Sequence, residues 1–126
     1  MGEMSYLSIF LPWPPSVNHY YGVHGKRRYI AARGVAYRMA VKECFKNQYP
    51  DHQPITGLVE LVATFCPPDK RKRDLGNLDK CLLDSLTHAG VWKDDYQVDR
   101  QTFSRGRDEN GELHLNNNVF VIIYWN

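Results

Sequence analysis

LVELVATF at residues 58–65, CPPDKRKRD at 66–74 and LGNLDKCLLDSLTHAG at 75–90 form the continuous stretch on which the fold turns. Leu58 to Phe65 is apolar and rich in β-branched residues, which predicts a strand. Pro67-Pro68 closes it, because proline offers a ladder no N–H. Leu75 to Ala89 predicts a helix, with Gly90 as its natural stop. On a helical wheel Leu75, Leu78, Leu82, Leu86 and Ala89 share one sector, which must pack on a sheet. Gly76, Asn77, Lys80, Asp84 and Thr87 share the opposite sector and face solvent or a cleft.

Upstream, Tyr6 to Leu11 (YLSIFL) predicts a strand stopped by Pro12-Trp13-Pro14-Pro15. Tyr20-Tyr21-Gly22 and Arg28-Tyr29-Ile30, around Gly22 and Gly25, suggest a basic, aromatic hairpin or loop. Ala31 to Asn47 predicts an amphipathic helix with Val35, Met39, Cys44 and Phe45 as its apolar residues and a cationic outer face, ended by Pro50 and Pro54. Downstream, Val98 to Phe103 and Val119 to Tyr124 predict strands. Asn110-Gly111 between them is a hairpin signal, so a final antiparallel pair is expected. The order β-α-β-α-β-β predicts an α+β fold, a mixed sheet packed by helices, in a single domain spanning residues 1–126.

Composition narrows the class. A chain of 126 residues has the size of one domain. Its 43% hydrophobic and 13% aromatic content excludes disorder. No apolar run is long enough for a membrane span, and no basic-then-apolar opening predicts a secretory signal. Cys44, Cys66 and Cys81 are odd in number and widely spaced, which predicts a reducing, cytoplasmic setting and no zinc site. The histidines have no ligand-like spacing. Net charge is only +2, but it is segregated. Lys26, Arg27, Arg28, Arg33, Arg38, Lys42 and Lys46 share one early stretch with Glu43 as its only acid. Lys70-Arg71-Lys72-Arg73 is an unbroken basic run. Acids gather at Asp94, Asp95, Asp99, Asp108, Glu109 and Glu112. Such a distribution can neutralise phosphates while keeping a carboxylate site apart.

The chemistry points the same way. Asp74 follows the basic run and opens the middle helix, where aspartate is also a favoured N-cap. Asp94-Asp95 lies just past the helix's end, a place where adjacent acids are often only solvated. Together Asp74, Asp94 and Asp95 offer the hard oxygen ligands that Mg²⁺ takes, Lys80 offers a cation for a phosphate, and Lys70 to Arg73 a grip on DNA. Asp74 and Asp95 are far apart in sequence. The fold must return the chain to the helix for them to cooperate.

Leu11-Pro12-Trp13-Pro14-Pro15-Ser16-Val17-Asn18, Arg71-Lys72-Arg73-Asp74-Leu75-Gly76-Asn77-Leu78-Asp79-Lys80 and Ala89-Gly90-Val91-Trp92-Lys93-Asp94-Asp95-Tyr96-Gln97-Val98 together resemble the RusA family of Holliday junction resolvases, small phage and prophage endonucleases of DNA recombination and repair. The resemblance runs over nearly the whole chain. It implies a homodimer that binds four-way junction DNA and nicks two opposing strands symmetrically with Mg²⁺ or Mn²⁺. It implies catalytic roles for Asp74, Asp95 and Lys80, and DNA contacts for Lys70, Arg71, Lys72 and Arg73, with Lys26, Arg27, Arg28 and Asn77 as further candidates. In the family pattern the second catalytic aspartate stands two residues after the first. Here that place holds Gly76, which removes a hard oxygen ligand one helical turn before Lys80 and predicts weak or absent cleavage.

Two rival classes follow from the same residues. A non-catalytic junction- or duplex-binding module keeps every basic feature and needs no carboxylate, and Gly76 favours it. A small RNA-binding domain would need aromatic pairs at alternating strand positions, and the strands offer few. Tyr20, Tyr21 and Tyr29 are candidates for stacking on opened bases, with packing roles as the alternative.

Overall fold

A computed structural model describes residues 3–126. The main sheet has the order β1-β6-β4-β5, where β1 is Ser5–Pro12, β4 Val59–Cys66, β5 Val98–Arg105 and β6 Asn118–Trp125. β6 runs antiparallel to both β1 and β4, with Ile9 opposite Val121 and Ala63 opposite Val121. β5 lies parallel to β4. A separate hairpin pairs β2 (Tyr21–His24) with β3 (Arg27–Ile30). The helices are α1 (Val17–Tyr20), α2 (Ala32–Gln48) and α3 (Asp79–His88), with 3-10 turns at Leu75–Asn77 and Asp95–Gln97. The fold is the expected α+β arrangement with a mixed sheet.

Period-two alternation builds the core. Leu7, Ile9 and Leu11 of β1, Val59, Leu61, Ala63 and Phe65 of β4, and Val119, Val121 and Ile123 of β6 point to one face and are buried. Leu78, Leu82 and Leu86 of the α3 segment join the same core, as its wheel predicts. The opposite face carries Tyr6 and Phe10, both exposed, against Tyr124 and Phe120. Among the described residues no helix is long and apolar enough to cross a membrane.

Three local expectations are corrected. β5 and β6 are not neighbours: β4 lies between them. β6 is apolar along most of its length and lies between β1 and β4, whereas β5 is mostly exposed and polar, which suits an edge. Asn110-Gly111 does turn the chain, but only within a short excursion bridged from Arg107 to Leu113. α2 turns only part of the expected face inward: Phe45 is buried and Cys44 half-buried as expected. Gly34, Tyr37, Val41 and Phe45 are buried, while Val35 and Met39 are exposed. Tyr37 keeps its hydroxyl satisfied there by donating to the Pro12 carbonyl at 2.8 Å. The predicted middle helix is broken: residues 75–77 form a 3-10 turn, Leu78 is the joint, and α3 starts at Asp79. Gly76 therefore stands in a 3-10 turn ahead of α3 and not in one continuous α-helix with Lys80.

Candidate active site

The β4–α3–β5 crossover builds the site. α3 ends at His88, and two residues on Gly90, whose φ of +82° is the left-handed conformation glycine adopts most readily, reverses the chain. Val91 and Trp92 then drop into the core, both buried. Ile55 accepts this segment through a parallel bridge to Trp92, with its amide bonded to the Val91 carbonyl at 2.9 Å. The chain emerges as Lys93-Asp94-Asp95 against the polar face of α3.

The two adjacent acids part company at this point. Asp94 is the N-cap of the 3-10 turn and accepts from the Tyr96 amide at 2.9 Å. The Gln97 side chain completes this capping box, accepting from the Lys93 and Asp94 amides at 2.8 and 3.0 Å. Its amide group also donates to the Ile55 and Gly57 carbonyls at 2.6 and 2.9 Å, stapling the loop to the start of β4. Asp95 faces α3 instead. One oxygen accepts from the Thr87 hydroxyl, and the other lies 3.6 Å from the Lys80 ammonium. Lys80 and Thr87 are two turns apart on one face of α3, separated by ~10 Å along its axis. Asp95 and the lysine side chain span that distance between them.

Asp84 lies between Lys80 and Thr87 on the same face. The Tyr20 hydroxyl donates to it, Arg38 donates to it at 2.9 Å, and Arg38 also donates to the Tyr20 oxygen at 2.9 Å. Burial works against the Asp84 charge, but these bonds, with the fields of Arg38 and Lys80, outweigh it and hold the carboxyl below its ordinary value. Tyr20 moves the opposite way, its hydroxyl raised by burial and by the Asp84 charge. Tyr20 is fully buried, which removes it from the residues able to stack on a base. Tyr29 stays exposed, and Tyr21 lies beneath the Arg28 guanidinium at 3.7 Å.

Asp74 opens the turn before α3, and its side chain makes no capping hydrogen bond. It lines a cleft of about 430 Å³ with Trp13, His19, Arg33, Arg71 and Asn77. Asp74 is six positions ahead of Lys80, roughly 9–12 Å along helical backbone. The basic run divides by role. Arg73 pairs with Asp69 at 2.8 Å and lies over the Trp13 ring, while its own carbonyl accepts from Arg105 at 2.7 Å. Lys70 and Lys72 are exposed, as are Lys26, Arg27 and Arg28 on the hairpin. Gly76 is exposed, a β-carbon there meets nothing within 4 Å, and its φ is not positive. Nothing in the backbone or the packing requires glycine at 76. Among the described residues no three His, Cys, Asp or Glu side chains cluster as a metal site.

Sequence reasoning did not identify Thr87, Trp92, Gln97, Tyr20 or Arg38 as parts of this site. The wheel did place Thr87 and Asp84 on the face of Lys80. Nothing local announces Tyr20 or Arg38, whose partner Asp84 is 64 and 46 positions away.

The family model for endodeoxyribonuclease RusA matches residues 12–116. A crossover junction endodeoxyribonuclease RusA of Shigella sonnei is 46% identical over 98 residues, covering 75% of this chain and 78% of the relative. Its namesake from Enterobacteria phage 82 is 44% identical over 98 residues, with the same coverage. Another from Escherichia coli O139:H28 is 39% identical over 120 residues, 89% of this chain and 93% of that one. The chain belongs to the RusA family of endodeoxyribonucleases.

Proposed function

We propose that this chain is a structure-selective, metal-dependent endodeoxyribonuclease. In this reading residues 1–126 act as one domain in the cytoplasm, bind four-way DNA junctions as a homodimer and nick two opposing strands symmetrically. The observation that carries the reading is the Lys80–Asp95 pair at 3.6 Å, held on the polar face of α3 in a chain whose relatives are named crossover junction endodeoxyribonucleases.

The donor set suits a hard divalent cation. Asp74 and Asp95 present carboxylate oxygens, and Mg²⁺ is commonly held by one or two carboxylates plus substrate phosphate oxygens. Asp74 and Asp95 would hold Mg²⁺ or Mn²⁺, while Asp94 is committed to its turn. When bound, the ion supplies Lewis-acid activation of water and of the scissile phosphate. Lys80 stabilises charge on the phosphoryl oxygens, and Asp95 keeps the lysine in place. Lys70, Arg71, Lys72 and the hairpin cations Lys26, Arg27 and Arg28 bind backbone phosphates, and Asn77 lies beside Asp74 in the cleft. Arg73 shapes the loop that presents them.

A second reading is favoured by two observations: the open space at Gly76 and the absence of a three-ligand cluster among the described residues. In it the chain binds junctions and cleaves poorly. A labelled four-way junction titrated with Mg²⁺ and Mn²⁺ decides between them. Paired nicks in opposing strands support the nuclease; a gel shift with no nicking at any metal concentration supports the binder.

A further inference from the structure

Asp95 is held on both oxygens: one by the Thr87 hydroxyl, the other facing Lys80. The Thr87 hydroxyl touches three groups: Asp95, the Trp92 indole nitrogen at 2.6 Å and the Leu83 carbonyl at 3.0 Å. An indole N–H can only donate, so Thr87 must accept from Trp92 and has a single proton of its own to give. The Leu83 carbonyl already serves the α3 ladder, whereas an ionised carboxylate is the stronger acceptor. That fixes the direction as Trp92 to Thr87 to Asp95.

Trp92 is well suited to anchor such a relay. It is 1% exposed, and its backbone is bridged to Ile55, so the ring has no room to turn away. A buried indole N–H without a partner costs about 1–3 kcal/mol, so the same bond that steers Asp95 also satisfies the tryptophan. Anchor and steering are one device.

We infer that Thr87 is a positioning residue, which receives the Trp92 indole N–H and so aims the second oxygen of Asp95 at Lys80 and at the cation the site takes. This inference rests on the metal-dependent reading above. It extends that reading from the acids to the side chains that hold one of them still. Partners of this kind behind a metal ligand typically contribute ~10–100-fold to metal affinity.

The test uses the full chain labelled with ¹⁵N and follows the Trp92 indole N–H resonance, first without metal. Thr87→Val removes the hydroxyl at constant shape and is expected to shift that resonance, while Thr87→Ser keeps it near its original position. Asp95→Asn is expected to shift it in the parent chain and to leave it unmoved in the Thr87→Val background. The same proteins are then titrated with Mn²⁺. Thr87→Val is expected to raise the half-saturating concentration ~10-fold or more, and Thr87→Ser to restore it. Trp92→Phe, which removes the donor and leaves Thr87 its hydroxyl, is expected to weaken Mn²⁺ binding in the same direction and serves if Thr87→Val fails to fold. Equal shifts from Asp95→Asn in both backgrounds, or unchanged Mn²⁺ affinity in Thr87→Val, would overturn the inference. A parent chain that binds no Mn²⁺ overturns the metal-dependent reading instead, and the metal-free resonances still decide the relay.

Discussion

Gly76 is the residue on which the two proposed readings, nuclease and binder, differ. The position is exposed, its backbone is compatible with any L-residue, and a β-carbon meets nothing within 4 Å. Gly76→Asp should therefore fold without strain and add a carboxylate between Asp74 and Lys80. Junction cleavage in Mn²⁺ should rise ~10–100-fold over the parent chain, measured as nicked strand per unit time. Unchanged cleavage from a measurable baseline would mean that position 76 is not where activity is lost. The basic run offers a second comparison. Lys72 is exposed, whereas Arg73 is tied to Asp69 and Trp13. Lys72→Ala should lower the salt slope of junction binding by about 1 and leave thermal stability alone. Arg73→Ala should instead loosen the 69–74 loop, at a cost of about 1 kcal/mol, and lower the melting temperature. Charge and acidity made Asp74, Lys80 and Asp95 legible as candidates from sequence. The division of labour inside KRKR and DD was not, because it depends on which side chains the loop turns inward.

The polar face of α3 does its work as an element. Lys80, Asp84 and Thr87 line up along it and are met from elsewhere in the chain: Lys80 and Thr87 by Asp95, Asp84 by Tyr20 and Arg38. The wheel showed the line-up because helical periodicity is local. The partners come from α1, α2 and the loop beyond Gly90, and tertiary packing alone chooses them. The same limit explains α2, where Val35 and Met39 were expected inside and Gly34 and Tyr37 were found there. Asp84 is an element-scale device with a pH signature. Its folded carboxyl titrates below the ordinary value, ~3.9, so the unfolded chain takes up the proton first. The stabilisation is complete above ~4 and is lost as pH falls through the lower, folded value. Tyr20 acts at the other end: its raised hydroxyl keeps its proton past ~10, where the unfolded chain loses one, so stability falls as pH climbs beyond that point. Asp84→Asn should cost about 1–3 kcal/mol at pH 7 by leaving Arg38 without its counter-charge. It should also flatten the acid limb of the stability curve, as measured by urea unfolding between pH 3 and 7. An acid limb identical to that of the parent chain would contradict this account of the cluster.

On the scale of the whole molecule, the number of active sites decides what the protein can do to a junction. One chain carries one Lys80–Asp95 pair, and in the proposed reading one such pair cuts one strand. A four-way junction has two equivalent strands to be cut, related by a two-fold axis, and an isologous dimer places two identical sites about that same axis. If both cuts occur within the lifetime of a single complex, a supercoiled plasmid carrying an extruded cruciform goes directly to linear DNA. A monomer cutting once per encounter releases nicked circles, and the loss of supercoiling then reabsorbs the cruciform before a second cut. The Gly76→Asp variant with Mn²⁺ is the protein to use, since its cleavage is expected to be the faster. Linear product rising without a lag, together with a light-scattering mass of two chains, is the expected pair of results. Nicked circles accumulating first, or a mass of one chain at concentrations that saturate the junction, would separate the family's chemistry from the symmetric assembly proposed for this chain.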